Sequence, residues 1–349
     1  MASSKLIRAA VLGASGYTGA DLIRLAARHP NIALTALIAK GHAGQELAQV
    51  FPHLASLGLP KLAAASEVDW NNVDVVFCGL PHGTAHAEIA KLPERINVID
   101  MSADFRLRDP SVYAEWYGGE HSAPQLLKSA VYGLTEHYAE SIRSARVVAC
   151  PGCYPTAVLL ALLPLVKAKL IETDDLIIDA KSGVSGAGRT LKQNILFSEA
   201  GEGLSPYGIG NHRHVPEIEQ ELGAASGGTV KINFTPHLAP MSRGELCTIY
   251  LRLSGKSRAA DLRAALTSAY AAAPFVRVVE EGTIPATQHV RGSNFCHIGA
   301  FADRIDGRAI VVSAIDNLVK GSAGQALQNF NLMYGLEETT ALEQLPLFP

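Results

Sequence analysis

The sequence predicts an α/β protein in which a doubly wound parallel sheet is followed by a second, α+β domain. Buried strands alternate with helices up to residue 149, which is typical of a parallel sheet covered by helices on both faces. From residue 230 onward, strands predominate and helices are few, which is typical of a separate α+β domain. At 349 residues the chain is long enough for two sizeable cores.

The first strand leads directly into a glycine-rich loop. Residues 9–12 form a short apolar run, glycines follow at 13, 16 and 19, and residues 20–28 have helical spacing. Such glycines let a pyrophosphate approach the backbone and the helix N-terminus, although many α/β turns are rich in glycine without binding a nucleotide. The predicted dinucleotide loop comprises Gly13, Ser15, Gly16, Tyr17, Thr18 and Gly19.

The end of the second predicted strand indicates which dinucleotide binds. An NAD-specific site normally places Asp or Glu there, to bind the adenosine ribose. Residues 32–39 end instead in Ala39 and Lys40, so a cation stands where the carboxylate would be. The pattern favours the extra phosphate of NADP, and the alternative is a solvated lysine in a loop.

Arg106 follows another predicted strand, residues 96–101, in a region where parallel sheets bind ligands. Its planar guanidinium could clamp an anion. The alternative is an ordinary ion pair with Asp104 or Asp109.

Cys153 lies between a predicted strand and a predicted helix. Val147–Ala149 read as a buried strand, Pro151 and Gly152 as a sharp turn, and residues from 155 onward as an apolar helix. A thiol at the mouth of a helix meets backbone N–H groups that favour its thiolate. Two interpretations remain open, a nucleophile and a buried structural cysteine. Cys150 is a second candidate for the nucleophile, but we expect it to be less exposed than Cys153 because it lies nearer the strand.

The second half of the chain carries two further candidate features. Residues 181–189 follow a predicted strand and are rich enough in glycine to bring backbone donors to a ligand, or to be flexible. His212 and His214 precede a helix that starts at Pro216, and residues two apart face one side of an extended segment. A cysteine with a distant histidine is the arrangement of a thiol nucleophile, whereas two exposed loop histidines are the alternative.

Composition excludes several classes of function. The net charge of −3 gives no reason to expect nucleic acid or an anionic membrane as a partner. Five cysteines spread through the chain do not form a disulfide framework, and no second pair completes a zinc motif with Cys150 and Cys153, so no metal is expected. With no signal-peptide core and no long apolar run, the expected location is the cytoplasm.

Seven motifs in order along the chain resemble the N-acetyl-gamma-glutamyl-phosphate reductases of the longer bacterial type. These belong with the aspartate-semialdehyde and glyceraldehyde-3-phosphate dehydrogenases. The Pro-Gly-Cys-Tyr-Pro-Thr run is the most specific of the motifs. They occupy residues 13–19, 102–106, 151–156, 181–188, 212–214, 234–244 and 316–321.

The resemblance implies a Rossmann-type NADP domain and an α+β catalytic domain of the glyceraldehyde-3-phosphate dehydrogenase type. The first would comprise residues 1–149 completed by 317–349, and the second, residues 150–316, would also make the oligomer contacts. The implied reaction is NADPH-dependent reduction of N-acetyl-glutamyl 5-phosphate to N-acetyl-glutamate 5-semialdehyde and phosphate, a step of arginine biosynthesis. The enzyme would be a homodimer or homotetramer.

The resemblance also assigns roles to residues. Cys153 would be the nucleophile, with His212 or His214 transferring the proton; His214 is favoured because the following helix should hold it more firmly. Arg106 would bind an anionic part of the substrate and Tyr207 would line its pocket. The remaining residues would lie at the cofactor: Gly183, Ser185, Gly186, Asn317 and Lys320.

Two other functions compete with this one. The same machinery could act on the aminoadipyl phosphate of lysine biosynthesis, because one methylene is worth only about 1–3 kcal/mol of discrimination. The chain could also be an NADP-binding sensor that has lost the chemistry, but that function would leave Cys153 and the paired histidines unexplained.

Overall fold

Contacts between Cα atoms divide the chain into two units. The structure, a computed structural model, describes residues 6–349. The first unit contains the described residues up to Pro151 together with Ser322–Glu343, and the second contains Gly152–Gly321 together with Gln344–Pro349.

Strands and helices alternate through the first part of the chain. They are β1 (Ile7–Leu12), α1 (Tyr17–Ala26), β2 (Ile32–Ile38), α2 (Leu47–Val50), β3 (Leu62–Ala63), β4 (Val75–Cys78), α3 (Ala85–Ile89), β5 (Asn97–Asp100), α4 (Pro110–Tyr117), α5 (Pro124–Ser129), β6 (Val131–Tyr132), α6 (Thr135–Arg143) and β7 (Val147–Ala149).

Longer strands follow, and a helix ends the chain's regular structure. The elements are α7 (Cys153–Lys167), β8 (Leu176–Gly183), α8 (Phe197–Ala200), β9 (Ser205–Pro206), α9 (Val215–Ser226), β10 (Ile232–Ala239), β11 (Glu245–Arg252), α10 (Ala259–Ala269), β12 (Val276–Val278), β13 (Cys296–Ala302), β14 (Arg308–Ile315) and α11 (Gly324–Met333).

The first unit is built on a seven-stranded sheet in the order β3-β2-β1-β4-β5-β7-β6. Every strand pair in it is parallel. The side chains of β4 are fully buried, as expected for a strand covered on both faces. The doubly wound parallel sheet predicted from the sequence is therefore confirmed.

The second unit is built on a mixed sheet in the order β12-β13-β14-β11-β8-β10-β9. Its pairs β8–β10 and β12–β13 are parallel, whereas β11 runs antiparallel to both β8 and β14. Helix α7 is buried from Tyr154 to Val166, because that stretch carries almost no polar side chain. This is the predicted α+β arrangement.

Several element boundaries differ from the sequence prediction by a few residues, and three differences affect the candidate site. Helix α7 begins at Cys153 rather than near residue 155, because extended backbone at Gly152 caps it directly. Strand β8 continues through Gly183, so the predicted 181–189 loop begins as a strand that pairs with β10 and β11. A π-helical turn, Val319–Ala323, precedes α11.

Within residues 6–349, no helix has both the length and the apolar character needed to cross a membrane.

Candidate active site

Cys153 is the first residue of α7, and the turn that presents it is held from both sides. The backbone N–H of Gly152 donates to Glu217 Oε1 at 2.9 Å, and Glu217 is almost fully buried. The carbonyl oxygen of Gly152 accepts from the Thr156 hydroxyl at 2.9 Å. The turn is therefore fixed by α7 itself and by a carboxylate from α9.

The two cysteines of this segment differ in environment. Cys153 is partly exposed, whereas Cys150 is fully buried in the first unit. Burial raises the pKa of the Cys150 thiol to about 12, so Cys150 stays protonated at neutral pH. Because a nucleophile must be accessible and able to ionise, the structure favours Cys153 over Cys150.

The His214 ring lies over Gly152, the residue before Cys153. A Cβ built on Gly152 would stand 2.4 Å from His214 Nε2, so only glycine leaves room for the imidazole in this position. This close approach places His214 beside the start of α7, where a proton carrier for the thiol chemistry would have to be.

His212 packs against His214 at the same site. Its ring centroid lies 4.8 Å from that of His214, and its Nδ1 accepts a hydrogen bond from the His214 backbone N–H at 3.2 Å. Burial lowers the pKa of His212 to about 4, so this imidazole is neutral at pH 7. An Nδ1 that accepts leaves the ring proton on Nε2. His212 therefore has one nitrogen already engaged in holding the His214 backbone.

The rings of Tyr207 and Tyr154 both pack against the His212 ring. Their hydroxyl groups are 3.4 Å apart, and the ring centroids of Tyr207 and His212 are 5.4 Å apart. Burial raises the pKa of each phenol, so both remain protonated. Both tyrosines thus bring a neutral hydroxyl to the cluster of Cys153, His212 and His214.

Glu245, the first residue of β11, belongs to this site although we did not predict it from the sequence. Its side chain is fully buried, and it interacts with the Cys153 thiol. A sequence signal was present, because Glu245 is in phase with the inward-facing residues Cys247, Ile249 and Leu251 of the same strand. A charged residue on the buried face of a strand calls for a functional explanation.

In the first unit, the predicted dinucleotide loop has the close packing that requires glycine. Gly13 has φ +85°, and a Cβ there would stand 2.6 Å from the carbonyl oxygen of Gly79. A Cβ on Gly19 would stand 2.4 Å from the carbonyl oxygen of Gly13. Gly16 leaves the N-terminus of α1 without a side-chain cap. These features fit a pyrophosphate on the backbone N–H groups of α1.

Lys40 and Arg106, also in the first unit, differ sharply in exposure. Lys40 is exposed in a 3-10 turn directly after β2, where it is accessible to a phosphate. Arg106 is only 8% exposed; its Nε donates to the Cys150 carbonyl oxygen at 2.8 Å and its Nη2 to that of Met101 at 3.1 Å. The Arg106 guanidinium therefore holds the backbone just after β5, at Met101, and just after β7, at Cys150.

The residues of the second unit that were predicted to bind cofactor are connected through Asn317. Asn317 Nδ2 donates to Ser185 Oγ at 3.0 Å, and Asn317 Oδ1 accepts from the Gly244 backbone N–H at 2.8 Å. The turn that follows Gly183 and contains Ser185 and Gly186 is thereby held to Gly244, the residue before Glu245. Lys320 is fully buried in the π-helical turn.

In the described part of the chain, no group of three His, Cys, Asp or Glu side chains could hold a metal ion.

Comparison with known proteins assigns both units to one family group. Residues 8–145 match the model of the semialdehyde dehydrogenase NAD binding domain, and residues 153–317 match that of the semialdehyde dehydrogenase dimerisation domain. An N-acetyl-gamma-glutamyl-phosphate reductase of Rhodospirillum rubrum is 56% identical, over 99% of this chain and 100% of its own length. The chain belongs to the N-acetyl-gamma-glutamyl-phosphate reductase family.

Other members of the reductase family are almost as similar. A probable chloroplastic N-acetyl-gamma-glutamyl-phosphate reductase of Arabidopsis thaliana is 53% identical, over 99% of this chain and 86% of its own length. Both relatives are named as reductases of a glutamyl phosphate, so the comparison does not favour an aminoadipyl phosphate as the substrate. Membership of a reductase family does not favour the sensor function either, and the protein is an oxidoreductase.

The fold of this reductase matches distant solved structures. Aspartate semialdehyde dehydrogenase II of Vibrio cholerae superposes with a TM-score of 0.72 at 15% identity, over 95% of this chain and 99% of that one. Aspartate semialdehyde dehydrogenase of Candida albicans, solved with NADP, superposes with a TM-score of 0.67 at 17% identity, over the same shares. The predicted fold class is confirmed.

Proposed function

We propose that this protein uses NADPH to reduce N-acetyl-glutamyl 5-phosphate to N-acetyl-glutamate 5-semialdehyde, with release of phosphate. The observation that carries the proposal is the position of Cys153, partly exposed at the first residue of α7 with His214 over the preceding glycine. Membership of the reductase family supports it independently. The reaction is a step of arginine biosynthesis.

In the first step, the Cys153 thiolate attacks the acyl carbon of the substrate. The C–S bond forms, the acyl C–O bond to phosphate breaks, and a thioester remains on the enzyme. The N-terminus of α7, where Cys153 stands, would favour the negative charge that develops on the carbonyl oxygen. Arg106 and Tyr207 are the groups that we propose bind the substrate.

The second step needs a hydride, and a group that lends a proton to the oxyanion that the hydride creates. NADPH, when bound, supplies the hydride that reduces the thioester carbon. His214 supplies the proton, because its ring lies beside the start of α7 whereas one nitrogen of His212 holds the His214 backbone. As the resulting hemithioacetal collapses, His214 takes the proton back from its hydroxyl group and the C–S bond breaks, so the aldehyde leaves and the Cys153 thiolate returns.

We propose the following residues as the dinucleotide-binding groups. The backbone of the 13–19 loop would bind the pyrophosphate, and Lys40 the extra phosphate of NADP. The turn that Asn317 stabilises would bind the nicotinamide half. In the first unit, the fit rests on the φ of +85° at Gly13, its close approach to Gly79 and the exposure of Lys40. Lys320, which is fully buried in the π-helical turn, is proposed together with Asn317 to close the cofactor site.

We also propose that the protein works in the cytoplasm as a homodimer or homotetramer. The match of residues 153–317 to a dimerisation domain supports self-association. Size-exclusion chromatography with light scattering tests the proposed oligomer.

The proposed reaction is tested in reverse, by following NADP reduction at 340 nm with N-acetyl-glutamate semialdehyde as phosphate is added. We expect phosphate-dependent reduction in the wild type and in Cys150→Ala, and none in Cys153→Ala. Equal rates in all three proteins would refute the assignment of Cys153. Faster turnover of the aminoadipyl aldehyde would refute the proposed substrate.

A further inference from the structure

Glu245 is a buried carboxyl group to which the steps above give no task. It is the first residue of β11, and its backbone pairs with Ser182 of β8 and Ile315 of β14. The side chain is fully buried, and neither carboxyl oxygen has a hydrogen-bond partner of good geometry among residues 6–349. A buried ionised carboxylate in such a position is costly, so the group must be neutral or serve a purpose.

The polar surroundings of Glu245 come from four elements. Helix α7 contributes the Cys153 thiol and the Tyr154 phenol, and the segment before α9 contributes Tyr207. Its own strand contributes the Cys247 thiol. Asp316, directly after β14, adds a negative charge. An ion pair with Arg243, whose Nη1 lies 3.3 Å from Asp316 Oδ2, partly compensates that charge.

These surroundings keep Glu245 protonated at neutral pH. The pKa of Glu245 is raised to about 8, mainly because the carboxyl group is buried. The interaction with the Cys153 thiol lowers this pKa, and the negative charge of Asp316 raises it. A neutral carboxyl has one O–H donor. Packing around Gly321 places Cys153 next to this part of the sheet. A Cβ added to Gly321 would stand 2.7 Å from the Cys153 Cβ and 3.2 Å from Cδ1 of Ile315, the residue that pairs with Glu245 across β11 and β14.

We propose that Glu245 is a positioning residue for Cys153, whose neutral carboxyl group donates a hydrogen bond to the sulfur and so stabilises the thiolate. The proposal rests on Cys153 being the nucleophile of the proposed reductase. The proton stays on Glu245 throughout, so no proton is transferred by this residue. The hydrogen bond supplements the N-terminus of α7, and it fixes the sulfur between β11 and the incoming acyl carbon.

The proposal requires an uncharged hydrogen-bond donor at position 245, so it predicts different results for two substitutions. Glu245→Gln has almost the same shape, keeps an N–H donor and cannot ionise. Glu245→Ala removes the donor. If the carboxyl were instead ionised beside the thiolate, both substitutions would remove a repelling charge and make the thiolate easier to form.

The test measures alkylation of Cys153 by iodoacetamide as a function of pH in the full-length protein without substrate or cofactor. Mass spectrometry of the peptide identifies the modified cysteine, and Cys153→Ser is the blank. Circular dichroism melting confirms that each variant is folded. Because this assay needs no turnover, it reads the Glu245 contact even if the proposed substrate is wrong.

We expect Glu245→Gln to react within about twofold of the wild type at pH 7, and Glu245→Ala about tenfold more slowly, as for loss of a hydrogen bond to a charged group. The pH midpoint should rise by about one unit in Glu245→Ala only. Faster alkylation in both variants would overturn the proposal, because Glu245 would then be ionised. Unchanged rates in both variants would also overturn it.

Discussion

Replacing Gly152 by alanine tests the position of His214 without removing any functional group. Gly152 has φ −63°, which alanine adopts without strain, and its N–H would still donate to Glu217. The added Cβ would lie 2.4 Å from His214 Nε2, whereas ordinary contact begins near 3.4 Å, so the imidazole must retreat by about 1 Å (3.4 − 2.4). The ring is the mobile end of a side chain and can move without disturbing the fold.

A displacement of about 1 Å at a catalytic group costs about 10²-fold in rate. We therefore expect kcat of Gly152→Ala to fall about 10²-fold in the phosphate-dependent assay, while the free energy of unfolding changes by no more than about 1 kcal/mol. Gly228→Ala is the matched control, because nothing lies within 4 Å of its added Cβ. If Gly152→Ala keeps kcat within about threefold of the control, His214 is not the proton carrier.

Three further predictions concern the thiol, the cofactor and pH. Gly321→Ala places a Cβ 2.7 Å from that of Cys153, so turnover and Cys153 alkylation should both fall about tenfold; an unchanged alkylation rate would refute the packing argument. Lys40→Ala should lower kcat/KM for NADP about three- to tenfold in steady-state assays and leave that for NAD unchanged; equal losses would refute the phosphate contact. Because burial holds the pKa of His212 near 4 against 6.5 when unfolded, the unfolded chain binds more protons between these values, and stability falls as the pH falls through this window. His212→Asn should reduce the loss between pH 7 and 4.5 by about 2 kcal/mol in urea melts, and an equal loss in both proteins would refute the burial argument.

The fold of the first unit could be predicted because the sequence patterns that determine it lie within short stretches of the chain. Strands β1 and β4 are short apolar runs, and the glycines that follow β1 permit contacts that any other residue would prevent. The strand-turn-helix context of Cys153 was also local, although the helix begins two residues earlier than Pro155.

The composition of the site was less predictable, because it joins residues that are far apart in the sequence. His214 meets Gly152 through the packing of α9 beside α7, and Glu245 meets Cys153 because β11 pairs between β8 and β14. Sequence periodicity places Glu245 on the inward face of its strand, but only the sheet order shows what it faces. Glu217 lies in the first turn of α9, and only the fold shows that its buried carboxylate accepts the hydrogen bond from the Gly152 N–H.

The central claim is that catalysis passes through a thioester on Cys153, and mass spectrometry can detect that species directly. The wild-type protein would be mixed with N-acetyl-glutamate semialdehyde and NADP in the absence of phosphate, and then digested at low pH. We predict one equivalent of NADPH per active site and an N-acetylglutamyl group on the Cys153 peptide, which phosphate then removes. A burst of NADPH without acylation of Cys153, or the same burst in Cys153→Ser, would contradict the account.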